Sequence, residues 1–164
     1  MSIPLNNYAF IDGQNMHLGT RDAGWIPDYG KFRTYLEEKY SVDQAFYFIG
    51  YQKENQDLYD VLKKEGYILI HKPTYVAVDG TVKGNCDAEL VLHTMIEYEN
   101  FNKAVIVSGD GDFYCLIKHL RENRKLRIVL VPNKATMSKL IPIASQNQFT
   151  SMNDLMDKIG FLKL

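Results

Sequence analysis

Short apolar runs bounded by turn-forming residues punctuate the chain. Tyr8-Ala9-Phe10-Ile11 stops at Asp12-Gly13, Ala45-Phe46-Tyr47-Phe48-Ile49 stops at Gly50, and Tyr67-Ile68-Leu69-Ile70 follows Gly66. Ala104-Val105-Ile106-Val107 stops at Ser108-Gly109, and Ile128-Val129-Leu130-Val131 stops at Pro132. Unbroken runs of this kind between turn signals predict strands buried on both faces. Between them the apolar spacing is helical. Phe32, Tyr35 and Leu36 follow Pro27-Asp28, a helix start, and Leu58, Val61 and Leu62 lead to Gly66, a helix stop. A further helix is predicted from about Asp87 to Glu99, with Leu90, Val91, Thr94 and Met95 on one face. Another is predicted from about Asp112 to Asn123, with Leu116, Ile117 and Leu120 inward. Strand and helix alternate, which predicts an α/β sandwich: a mostly parallel, five-stranded sheet with helices on both faces and right-handed crossovers. Asp79-Gly80, between alternating residues from Thr74 to Val82, predicts a small β-hairpin ahead of the Asp87 helix. Asn153 to Ile159 reads as a closing helix.

Composition narrows the class without changing this picture. The 164 residues are 46% hydrophobic and 24% charged, which fits one globular domain over residues 1–164. No apolar stretch approaches the roughly 18–20 residues of a membrane span, and the N-terminus lacks a signal-peptide pattern, so a cytoplasmic protein with no membrane partner is expected. Cys86 and Cys115 form neither a disulfide framework nor a CxxC pair. A net charge of −1 argues against a nucleic-acid coat protein, yet seven Lys and Arg against one acid, Glu122, fall between Lys118 and Lys139. That stretch is either a solvated face or a binding surface.

In open parallel sheets, ligands bind beyond the carboxyl ends of the strands. Here those ends are acidic. Asp12, followed by Gly13-Gln14-Asn15, closes the first run, and Ser108-Gly109-Asp110-Gly111-Asp112-Phe113 closes the fourth. Asp87 opens the helix before it. Like charges ~4 Å apart repel by about 4 kcal/mol at an effective dielectric of 20, and a hard divalent cation is the usual remedy. The same residues have plainer readings: Ser108, Asp110 or Asp87 as helix caps, and Asn15 as a loop brace. Lys83 is either a phosphate contact or a surface lysine. Most of the tyrosines read as core or sheet-edge residues, Tyr51 and Tyr75 being either that or surfaces for bases to stack on; His93 reads as a satisfied helix residue, and the other histidines have no zinc spacing.

In order and spacing, Phe10-Ile11-Asp12-Gly13-Gln14-Asn15, Lys83-Gly84-Asn85-Cys86-Asp87 and Val107-Ser108-Gly109-Asp110-Gly111-Asp112-Phe113 resemble the three signature blocks of the NYN domain family, part of the PIN-like nuclease superfamily. The resemblance implies a PIN-like three-layer α/β/α sandwich and a Mg²⁺- or Mn²⁺-dependent ribonuclease site. It implies Asp12, Asp87, Asp110 and Asp112 as metal ligands and catalytic acids, with Asn15 as the companion of the first aspartate. Lys83 and Ser108 are the substrate-binding candidates, RNA is the expected partner, and a homodimer is compatible with the resemblance. Many members carry a further acid one to two turns after the Asp87 position, where this chain has Leu92-His93-Thr94. One metal or two, and turnover or binding alone, therefore both stay open.

Three functions compete at this point. The first is the metal-dependent ribonuclease. The second is an RNA-binding or scaffold module of the same fold without turnover. The third is a phosphotransferase, which would need a second acid two residues after Asp12, where Gln14 stands.

Overall fold

The computed structural model describes residues 6–161. Strand β1 (Asn7–Asp12) lies at the centre of the sheet, between β2 (Val42–Tyr51) and β6 (Ala104–Val107). Outward from these run β3 (Tyr67–Pro73) on one side and β7 (Leu126–Val131) and β8 (Phe149–Ser151) on the other, giving the order β3-β2-β1-β6-β7-β8. Every pairing in it is parallel. The chain builds outward from β1 in one direction, then returns across β1 to build in the other. The order therefore reverses at the β1–β6 junction, where crossover loops diverge and leave a crevice.

Alternation along the buried strands sorts the core into two layers. Ala9, Ile11, Ala45, Tyr47, Val105 and Val107 face α1 (Gly13–Asp22), α2 (Tyr29–Tyr40), α3 (Gln56–Lys64) and α7 (Met156–Ile159). Tyr8, Phe10, Phe46, Phe48 and Ile106 face α4 (Asp87–Ile96), α5 (Tyr114–Glu122) and α6 (Leu140–Ser145). The three-layer α/β/α sandwich is thus present. Asp28 caps α2 by accepting from the Lys31 N–H at 3.1 Å, and Gly66 takes φ +95° just beyond α3, as the start and stop signals require. The hairpin is present too, as β4 (Tyr75–Val76) and β5 (Val82–Lys83), with Asp79 accepting from the Thr81 N–H at 3.0 Å in its turn.

Several local expectations need correcting. The sheet has six strands rather than five: β8 is a three-residue edge strand, half-buried throughout, so no apolar run announces it. Helix α1 follows β1 directly, although Asp12-Gly13 reads as a turn. Its buried face is Gly13, Met16, Gly19 and Thr20, too small to register as an apolar stripe. In α3 the buried residues are Tyr59 and Leu62 while Val61 is exposed, and in α4 Met95 is exposed and the helix ends at Ile96. No helix among the described residues is long and apolar enough to cross a membrane.

Candidate metal centre

Asp12 is both the last residue of β1 and the N-cap of α1, its Oδ1 accepting from the Asn15 N–H at 3.2 Å. The strand fixes its backbone and the cap fixes its side chain. Its second oxygen accepts from the Ser108 hydroxyl at 3.0 Å, so the end of β1 is tied to the end of its neighbour β6. Ser108 Oγ in turn accepts from the Asp110 N–H at 3.1 Å, and Asp110 Oδ1 accepts from the Asp112 N–H at 2.9 Å. Asn15 reinforces the same junction, its Oδ1 accepting from the Gly109 N–H at 2.8 Å. From the opposite layer, Asp87 opens α4 and exchanges two hydrogen bonds with Asn85: Asn85 Oδ1 accepts from the Asp87 N–H at 2.9 Å, and Asn85 Nδ2 donates to Asp87 Oδ2 at 3.0 Å.

These restraints bring Asp12, Asp87 and Asp110 together, each offering a carboxylate oxygen within 4.8 Å of the others. None of the ion pairs among the described residues involves them. Burial pushes the Asp12 carboxyl up from 3.8 to about 6 against the pull of its hydrogen bonds to Asn15 and Ser108, and the charges of Asp87 and Asp110 push it further. Asp87 is raised as well, first by burial and then by Asp110, Asp112 and Glu89, with Asn85 opposing. A cluster of hard oxygens that resists holding its own negative charge is suited to a divalent cation.

The remaining candidates separate by position. Asp112 is exposed and lies outside the triad, close enough to Asp87 to act on it through charge. Ser108 is fully buried, its hydroxyl donating to Asp12 and accepting from the Asp110 N–H. Lys83 is exposed on β5, on the rim of a groove of about 610 Å³ that adjoins the acids through Gln14 and Asn85. His93, on α4, packs its ring against Phe46 and Phe48 at centroid distances of 4.8 and 5.8 Å. Burial and neighbouring Glu89 hold the Cys86 thiol up at about 11, so it stays protonated.

The basic stretch divides. Lys125 donates to the carbonyls of Tyr98 and Phe101 beneath both rings, Arg121 donates to the Ala144 carbonyl at 2.8 Å, and Arg127 covers the Tyr40 ring. These three brace the fold. Lys134 and Lys139 are exposed on the loop after β7, which packs against the acidic turn through the Ser138 N–H to Gly109 carbonyl bond at 3.0 Å. Charge counting along the sequence could not separate the two roles. It also missed Asn85, although an Asn two residues before a helix-opening Asp is a local bracing pattern. Lys72, which donates to the Asn85 carbonyl at 3.1 Å and pairs with Glu89 at 3.3 Å, carried no sequence signal because it comes from β3.

The switch point of the parallel sheet gathers three carboxylates, Asp12 buried and Asp87 and Asp110 half-buried, which defines the class: an α/β protein with an acidic candidate metal centre. The chain belongs to the NYN domain family, whose sequence pattern matches residues 8–153. The Low amplitude and bright protein LabA of Synechococcus elongatus is 24% identical over 156 residues, covering 89% of this chain and 83% of that protein. The crystal structure of a protein of unknown function from Vibrio parahaemolyticus shares the fold with a TM-score of 0.78 at 22% identity, over 98% of this chain and 100% of that one.

Proposed function

We propose that the chain is a Mg²⁺- or Mn²⁺-dependent ribonuclease that hydrolyses RNA phosphodiester bonds in the cytoplasm. The observation that carries this reading is the convergence of Asp12, Asp87 and Asp110, from three separate elements, within 4.8 Å at the switch point of the sheet. Those three residues hold the ion. When bound, it supplies Lewis-acid polarisation of the phosphate and lowers the pKa of an attacking water.

The protein's own groups do the rest. Asn15 and Ser108 are positioning residues, locking Asp12 against the β6 turn so that its oxygens keep their aim. Asp112, exposed beside Asp87, is placed to accept the proton of the attacking water. Lys83 on one side, with Lys134 and Lys139 on the other, holds the phosphate backbone, which makes binding salt-dependent and largely sequence-tolerant.

The test is cleavage of an end-labelled single-stranded RNA in Mn²⁺ by purified protein. Product is expected with the wild type and absent with EDTA or with Asp110→Asn. Undiminished cleavage by Asp110→Asn overturns the mechanism. A second reading, RNA binding without turnover, draws on the position of His93, which packs against Phe46 and Phe48 where the resemblance implies a further acid. Saturable RNA binding with no product across a metal series selects it.

A further inference from the structure

Beside the carboxylates lies the groove of about 610 Å³, and its chemistry is unlike theirs. Its polar lining is neutral apart from Lys83: the amides of Gln14, Gln52, Asn55 and Asn85, the His17 imidazole, and Thr74 and Tyr47, whose hydroxyls are already bonded to the Tyr51 carbonyl and to Tyr29. No Asp or Glu lines it. Leu18, Ile49, Leu58 and Val82 add apolar lining. Asn85 is committed to Asp87, and Gln52 Oε1 accepts from Asn55 Nδ2 at 3.4 Å. Among the described residues, the side chains of Gln14 and His17 have no protein partner.

The wall formed by the hairpin is preformed. Thr74 Oγ1 donates to the Tyr51 carbonyl at 2.7 Å, and a Cβ added at Gly50 would lie 2.7 Å from the Gly84 carbonyl oxygen, so the hairpin base and the end of β2 are in direct backbone contact. The groove adjoins the metal centre through Gln14, two residues after Asp12, and through Asn85, which donates to Asp87.

We infer that this groove seats one unpaired nucleobase, that of the nucleotide next to the phosphodiester held at Asp12, Asp87 and Asp110. A base is flat, uncharged, apolar on its faces and lined with donors and acceptors on its edge, which matches a groove lined by neutral amides and apolar side chains. Lys83 on the rim meets that nucleotide's phosphate. The volume of the groove lies within the range of small-ligand sites and admits a nucleoside. The inference rests on the ribonuclease reading for the position of the scissile bond. It adds that the substrate must present an extruded or single-stranded base there, with a preference among bases set by Gln14, Gln52 and Asn55.

The test has two arms, because a nucleobase can come from an RNA strand or from a free nucleotide. In the first, metal-free full-length protein is titrated with each nucleoside 5′-monophosphate and with inorganic phosphate, and the side-chain amide resonances of Gln14, Gln52 and Asn55 are followed by NMR. Nucleotides are expected to shift them and phosphate is not. Gln14→Ala with Asn55→Ala should weaken the nucleotide effect about tenfold. No shift at saturating millimolar nucleotide, or the same shift with phosphate, overturns the groove assignment whatever the cleavage assay shows. In the second arm, each nucleotide of a cleaved RNA is replaced in turn by an abasic one. One position next to the cut is expected to raise KM about tenfold with kcat less affected. Uniform cleavage of the whole series overturns the placement of an RNA base in the groove. Amide shifts without any RNA cleavage would retain the groove as a nucleotide site and remove the ribonuclease reading.

Discussion

At the carboxyl edge of the sheet, β1 and β6 end in Asp12 and Ser108-Gly109-Asp110, whereas β7 and β8, the next strands along, lead into Asn133 and Ser151-Met152-Asn153. Both ends are densely hydrogen-bonded. Asn133 Oδ1 accepts from the Ala135 N–H at 3.0 Å, Asn153 Oδ1 accepts from the Lys134 N–H at 2.9 Å, and Ser151 Oγ accepts from the Asn153 N–H at 3.1 Å. That network is neutral and closed on itself, the usual way to end a strand. The β1–β6 end uses the same short polar side chains for the same backbone bonds, yet carries charge that no ion pair among the described residues offsets. Capping alone therefore explains the ends of β7 and β8 and leaves the charge at the ends of β1 and β6 unexplained.

The sharpest way to break the comparison is to neutralise one end at a time. Asp110→Asn should lower RNA cleavage by about a thousandfold while circular dichroism and Tm stay close to wild type. Asn133→Ala, on the neutral end, should leave the cleavage rate within about twofold. Equal losses from the two would erase the distinction.

The next effect is one of pH. Because the Asp12 carboxyl is held up at about 6 in the fold against an ordinary 3.8, chiefly by burial, the folded protein keeps a proton that the unfolded chain has released. Its contribution to stability is complete below pH 3.8 and is lost as the pH rises through about 6. The loss is about 2–3 kcal/mol, and Asp87 shifts in the same direction. Urea unfolding of metal-free protein should therefore show a fall between pH 4 and pH 7 that Asp12→Asn flattens and that Mn²⁺ reverses. A pH profile identical in wild type and Asp12→Asn contradicts this.

Smaller again is the effect of crowding the start of α1. A Cβ at Gly13 would lie 2.5 Å from Tyr47 Cε1 and 2.7 Å from the Phe48 carbonyl oxygen, so Gly13→Ala must move the helix start that aims Asp12. A cost of about 2 kcal/mol in unfolding free energy is expected, with weakened Mn²⁺ binding. Asn133→Ala should cost about 1 kcal/mol, the value of a lost cap, with metal binding unaltered.

How much of this could be read from the chain alone depends on how local each feature is. The acids were legible because apolar runs mark the strands and the residue just past a parallel strand falls at the ligand edge. The adjacency of β1 and β6, which joins Asp12 to Asp110, has no local signature in the chain and is set by the register of paired residues in the sheet. Helix α1 was not legible, since Gly19 lies where a Cβ would come 2.8 Å from Pro132 Cβ and close packing there demands a small residue. The groove was not legible either: its walls come from α1, the end of β2, the start of α3 and the hairpin base, none of which carries a pattern pointing to the others.

The central claim is that the β1–β6 end of the sheet is built around a cation, and direct Mn²⁺ binding tests it without reference to any substrate. Electron paramagnetic resonance of free manganese during titration should reveal a saturable site at sub-millimolar to millimolar metal, lost in Asp12→Asn and in Asp110→Asn and unchanged in Asn133→Ala. Absence of uptake at millimolar manganese, or uptake that survives simultaneous replacement of Asp12, Asp87 and Asp110 by Asn, contradicts the account.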